Sequence, residues 1–198
     1  MTVIASIVEG HGEQQAVKRL LWRIANDAAP GATLRANEPI RVKAGSFVND
    51  LSYFSRYVSL AAAKARQETA GHVLILLDCE DDCPADQGPR LLDQARRVAA
   101  DVNITVALAH REYETWFMAA AESLRDVEGM SAAVVRPADP EATRDAKGWL
   151  GRHMPHGYDP ISHQLAFTHA FDLDAGRTVA SFDRLYRKIA ALLTHAAA

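Results

Sequence analysis

An α/β fold is predicted, with a mostly parallel four-stranded sheet flanked by helices and a C-terminal helical appendage. Three observations carry this reading. Short apolar runs alternate with stretches of helical periodicity through residues 1–125. The run "HVLILLD" is apolar without interruption from Val73 to Leu77, as in a strand buried on both faces. Beyond residue 125 the strand-like runs stop and only helical pieces follow.

The elements follow in order. "VIASIV" at residues 3–8 is β-branched and apolar, and Gly10 and Gly12 then break it, so a strand meets a turn. From Glu13 onward Ala16, Val17, Leu20, Leu21 and Ile24 recur at helical spacing, with Pro30 and Gly31 beyond the end. "IRVKA" at residues 40–44 reads as the second strand. Residues 51–66 read as a helix with Leu51, Phe54 and Val58 on one face. "HVLILLD" is the third strand, residues 87–101 a helix with Leu91 and Ala95 inward, and "ITVALA" at residues 104–109 the fourth strand. Residues 126–140 read as irregular, and helical pieces are expected over 141–152, 161–171 and 178–196, packed on the 1–125 core within a single domain. The chain has no internal repeat.

Composition narrows the function classes. The hydrophobic share of 48% and charged share of 24% are those of an ordinary globular protein. No apolar run approaches the roughly 20 residues of a membrane span, and the N-terminus lacks the pattern of a secretory signal, so a cytoplasmic protein is expected. Cys79 and Cys83 make neither a disulfide framework nor the four-ligand set of a structural zinc, and read as free thiols.

Chemistry concentrates where the strands end. In open α/β sheets the functional crevice lies at the carboxyl ends of the strands. Glu9 and Glu13 follow the first strand; Asp78, Glu80, Asp81 and Asp82 follow the third; Glu112 and Glu114 follow the fourth. Carboxylates held close repel one another unless cations neutralise them, and hard divalent ions with oxygen ligands, Mg²⁺ or Mn²⁺, suit such a set. Asp78 and Glu80 alternate along an extended segment and are expected to share a side, with Glu9, Asp78 and Glu80 inside one metal-binding radius. Each cluster also has a plain reading: Glu13 as an acid favoured by a helix N-terminus, "EDD" as a solvated loop.

Removing the eight clustered acids leaves 17 acidic against 22 basic residues, a mildly basic surround suited to guiding a polyanion. Lys147 and Arg111 are candidates for stabilising charge on a phosphoryl transition state, and each could equally be a solvated cation. His11 and His110 flank the acids as candidate proton-transfer groups, whereas His153, His156 and His163 lack matching ligands and read as loop surface. The Gly-His-Gly turn has neither the dinucleotide fingerprint nor the P-loop lysine.

"VEGHGE", "LLDCEDD" and "REYETWFMA", in this order on these elements, resemble the Toprim fold. Within it they are similar to the variant found in OLD-type (overcoming-lysogenization-defect) nucleases and in a related family of uncharacterised bacterial proteins. "GWL", "GYDP" and "SFDRLYRKI" resemble the late motifs of that family, so the likeness spans nearly the whole chain.

The resemblance implies that Glu9 matches the Toprim glutamate after the first strand and Glu13 the second acid of the nuclease variant. Asp78 and Glu80 match the Asp-x-Asp pair, with Glu in the second place. Glu112 and Glu114 occupy the later acidic motif, Glu114 being preferred as the ligand because Trp116 and Phe117 anchor its helix inside, and Asp82, from the acids after the third strand, is added to the candidate metal ligands. The implied activity is a metal-dependent phosphodiesterase acting on nucleic acid, with Glu9, Asp78 and Glu80 at the reacting centre, to which the charge argument above adds Lys147 as a candidate catalytic residue. The alternative is a non-catalytic or conditionally active Toprim-like partner subunit of a separate ATPase, in defence against phage, since the chain carries no Walker motif.

Overall fold

The computed structural model describes residues 1–195. Five parallel strands form one sheet: β1 (Thr2–Val8), β2 (Leu34–Ala36), β3 (Ile40–Arg41), β4 (Gly71–Asp78) and β5 (Asn103–Ala109), in the order β2-β1-β4-β5. β2 pairs with the start of β1 and β3 with its end, so the two lie in series along one edge of β1. β4 takes the other edge of β1, with Ile7 opposite Ile75, and Asp78 stands opposite Ala109 of β5. Sequence reading expects four strands. The fifth, β2, is three residues long and half-exposed, which leaves no apolar signature to read.

The chain leaves β1 in one direction for β2 and returns on the other side for β4 and β5, so the order reverses between β1 and β4. Right-handed crossovers then require helices on opposite faces. α1 (His11–Ala28) covers one face. α3 (Leu51–Arg66) and α4 (Pro84–Val98) cover the other, with α2 (Ala44–Asn49) before them. α2 occupies the end of the segment expected as strand: Asp50 caps α3 through the amides of Ser52 and Tyr53, and Phe47 turns inward onto Phe54 with ring centroids 4.7 Å apart.

The strands alternate between two cores. Ile4, Val8, Leu74 and Leu76 face α1 and the C-terminal helices; Ala5, Ile7, Val73, Ile75 and Leu77 face α3 and α4. Burial on both faces explains the unbroken apolar run in β4.

Residues 110–195 supply α5 (Glu114–Ala119), α6 (Ala146–Arg152), α7 (Pro160–Ala170), α8 (Leu173–Gly176) and α9 (Ala180–His195). Ala196, the expected end of the last helix, lies outside the described residues, and the helix expected from 141 starts at Ala146. These helices share the α1-side core rather than hang from it. Phe117 packs edge-on against Phe167 and Phe171, and Trp116 lies against Phe182 while its indole N–H donates to Ser181 Oγ at 3.0 Å. α5 is buried on every side, so the inward stripe expected at Tyr113, Trp116, Phe117 and Ala120 is one part of a wholly enclosed turn. No helix among the described residues is long and apolar enough to cross a membrane.

Candidate active site

The carboxyl edge of the sheet opens into a cleft of about 640 Å³ at the reversal point between β1 and β4. Its walls come from the ends of β1, β4 and β5 and, facing them, from Arg144, Asp145, Lys147 and the N-terminus of α7. Of the residues expected from sequence, Glu9, Glu13, Asp78, Glu80, Glu112, Glu114, Lys147, Arg111 and His11 all line it.

The deepest acids belong to β1 and β4. Glu13, in the first turn of α1, is 5% exposed, and its Oε2 accepts from the amides of Glu9 at 3.0 Å and Gly10 at 3.2 Å. A side chain at residue 10 would put its Cβ 3.0 Å from Glu13 Oε1, so glycine there leaves room for the carboxylate to fold back. Burial raises the Glu13 pKa to about 7 against the two amide bonds, and the Glu114 carboxylate adds to the rise. Asp78 is raised well above the ordinary range by burial and then by the charges of Glu13 and Glu114; its Oδ1 accepts from the Tyr113 amide at 2.8 Å. Glu9 is also raised, by burial and by Glu80, with Lys147 opposing.

The third arm is met by residues far along the chain. Glu114, at the start of α5, is fully buried: Oε1 accepts from the Tyr158 hydroxyl at 3.0 Å, while Oε2 faces Lys147 Nζ at 3.0 Å as a charge contact without an aligned hydrogen bond. Lys147 Nζ donates to Glu112 Oε2 at 2.8 Å and lies 3.9 Å from Asp78 Oδ2. Burial opposes that ammonium, yet Glu114 and Asp78 outweigh it and hold the amine protonated beyond its usual range. Glu112 Oε1 accepts from the Ala146 amide at 3.2 Å, so it caps α6, a helix 34 residues on, and not the helix it precedes.

Three expectations differ from the structure. Asp82 is no cleft residue; it is exposed and accepts from Gln87 Nε2 at 2.8 Å, because the chain after β4 turns toward α4. Glu80 does not continue an extended strand, for its φ is +45°, and its side chain stands exposed at the rim. Among the described residues no three His, Cys, Asp or Glu side chains make a ready ion cage, so the common radius expected for Glu9, Asp78 and Glu80 is not present. Lys147 stands among Asp78, Glu112 and Glu114, and Glu13 is turned onto backbone amides.

At the rim Asp81 joins Arg111 at 2.7 Å and Arg144 at 2.8 Å. His110 lies outside the cleft lining, 3.9 Å from Glu141. Cys79 points into the opposite core, and burial pushes its thiol up to about 11, which leaves it a poor nucleophile. Tyr158, Asp145 and Gln164 escape sequence reading. Only Tyr158 lies in a segment, "GYDP", that the reading singles out.

The donor set fits a hard divalent cation by its chemistry: the acids at the strand ends offer carboxylate oxygens, Glu114 Oε2 is buried without an aligned partner among the described residues, and the Lys147 ammonium is shared by three acids, Asp78, Glu112 and Glu114. The raised acids make a stability prediction. Between pH 4.5 and about 7 folded Glu13 keeps a proton that the unfolded chain has lost, so stability falls as pH rises through that window, on the order of 3 kcal/mol, with Asp78 acting in the same sense. The paired acids do not mask this, since Asp101, lowered to about 2 by Arg66, acts below pH 4. Melting in chelator at pH 5.5 and pH 8 checks it: a midpoint no lower at pH 8 is the contrary result.

Fold and site together define an α/β protein with a parallel sheet and an acidic cleft at its carboxyl edge. The chain belongs to the family described as domain of unknown function DUF4276, whose model matches residues 8–190. No curated protein and no solved structure matches it.

Proposed function

We propose that the chain is a Toprim-type, divalent-metal-dependent phosphodiesterase acting on nucleic acid, working in the cytoplasm. One observation supports this above the others: acids from the carboxyl ends of β1, β4 and β5 converge on one cleft at the reversal point of a parallel sheet. Glu9, Asp78 and Glu114 would hold Mg²⁺ or Mn²⁺, with Glu80 at the rim. Such an ion would supply an activated water and stabilisation of the leaving oxygen. Glu13 holds the Glu9–Gly10 turn in place, the Tyr113 amide orients Asp78, and Tyr158 orients Glu114. Arg111 and Arg144 offer guanidinium groups at the mouth where a phosphate backbone would lie.

Single- and double-stranded DNA and RNA, incubated with the purified chain and millimolar Mg²⁺ or Mn²⁺, test this. Cleavage that needs metal and disappears in Glu9→Gln is expected. Metal should also raise the melting midpoint at pH 8, where the acids are most charged, and should do so less at pH 5.5. No cleavage and no shift overturn the reading.

A second reading, a conditionally active partner subunit of a separate ATPase, is favoured by one feature: Lys147 already sits among three of the acids. Cleavage appearing only when a co-encoded ATPase is added is its signature.

A further inference from the structure

We propose that Lys147 is a resident counter-cation that exchanges with an incoming divalent ion at Glu114 Oε2, the displaced ammonium being retained by Glu112. This rests on the metal-dependent reading above and adds how the site is kept before metal arrives.

The three contacts of the ammonium differ in kind. Only the one to Glu112, at 2.8 Å, is an aligned hydrogen bond, and the same carboxylate accepts the Ala146 amide, so Glu112 anchors both the lysine and the helix that carries it. The contact to Glu114 is charge alone, and the one to Asp78 is longer at 3.9 Å. Withdrawing from Glu114 therefore leaves the best bond of Lys147 intact.

Glu114 stays in place when this happens. Its side chain is 1% exposed, and Oε1 is held by the Tyr158 hydroxyl. The lysine side chain is 41% exposed and has open cleft beside it. One partner of the pair is immobile and the other has somewhere to go.

Charge supplies the drive. Without metal, one positive charge faces Asp78, Glu112 and Glu114, and removing it would leave buried carboxylates uncompensated. A divalent ion brings two charges to the same oxygens, and like-charge repulsion then disfavours an ammonium at 3 Å from the same carboxylate. Lys147 thus stabilises the metal-free fold and weakens metal binding.

Mn²⁺ binding by the whole chain, followed by electron paramagnetic resonance at one fixed pH, compares wild type with Lys147→Met. The variant should bind Mn²⁺ about tenfold more tightly, the coupling expected of one displaced like charge, and melt lower in chelator. Equal or weaker Mn²⁺ binding overturns the exchange and leaves the metal reading standing; no binding by either protein overturns both. If Lys147→Met does not fold, wild type carries the test by itself. With isotope-labelled lysine and the side-chain resonance assigned from Lys147→Arg, saturating Mg²⁺ should shift the Lys147 signal. A signal unmoved by Mg²⁺ overturns the exchange.

Discussion

Glu114→Gln is expected to reduce metal-dependent cleavage on the order of 10²- to 10³-fold with the fold intact. The amide keeps the shape of the side chain, and its carbonyl and amino groups can both meet the Tyr158 hydroxyl, which donates and accepts. What is lost is the negative charge at Oε2, the buried oxygen with no aligned hydrogen bond. Glu112→Gln makes the contrast. Both Glu112 oxygens are already occupied, one by the Ala146 amide and one by Lys147, so its work is to hold α6. That change should lower stability by about 1 kcal/mol, the usual weight of a cap, and leave substantial activity. Measured together, kcat and melting midpoint separate the two acids. If Glu112→Gln abolishes cleavage at unchanged stability while Glu114→Gln remains active, ligand and cap are reversed.

A large stability effect is expected for Gly12→Ala. A Cβ there would stand 2.1 Å from Gln164 Oε1 and 2.5 Å from the Pro160 carbonyl oxygen, because the N-termini of α1 and α7 meet at this point. Gln164 can rotate, but Pro160 O is backbone, so α7 must back away from α1. Overpacking of this kind costs about 3 kcal/mol, at the upper end of its range, which lowers the melting midpoint by roughly 10 °C in a chain of this size. The same shift would displace the cleft wall carrying Asp159, Pro160 and Gln164. Gly45→Ala is the control: nothing lies within 4 Å of its Cβ, and it sits inside α2, where alanine should stabilise by about 0.5 to 1 kcal/mol. Equal midpoints for the two variants would show that the α1–α7 contact is not tight.

Much of the site is legible in the chain because of two local facts. A strand end is marked by the switch from apolar to turn residues, and parallel strands send all their carboxyl ends to one edge. Glu9, Asp78 and Glu114 can be located by those rules without knowing any contact. The same rules place Asp82 beside them, and there they fail: its direction depends on how the loop enters α4, and Gln87 draws it away. They also treat Glu80 as extended, although a single left-handed residue at the strand end changes its exposure.

The apolar periodicities by themselves determined the alternation of strands and helices, the sheet's burial on both faces, and the acids at its carboxyl edge, since each depends on neighbours within one turn or one strand. Only the tertiary structure decided what those acids meet. Lys147 reaches Glu112 and Glu114 from more than 30 residues away, Tyr158 reaches Glu114 from 44, and Asp145 caps the helix bearing Lys147 from a left-handed conformation that no periodicity marks. Such meetings are set by how α6 and α7 pack on α5 and α1. That packing is a property of matched surfaces and long-range charge, for which a local stretch of sequence carries no signal.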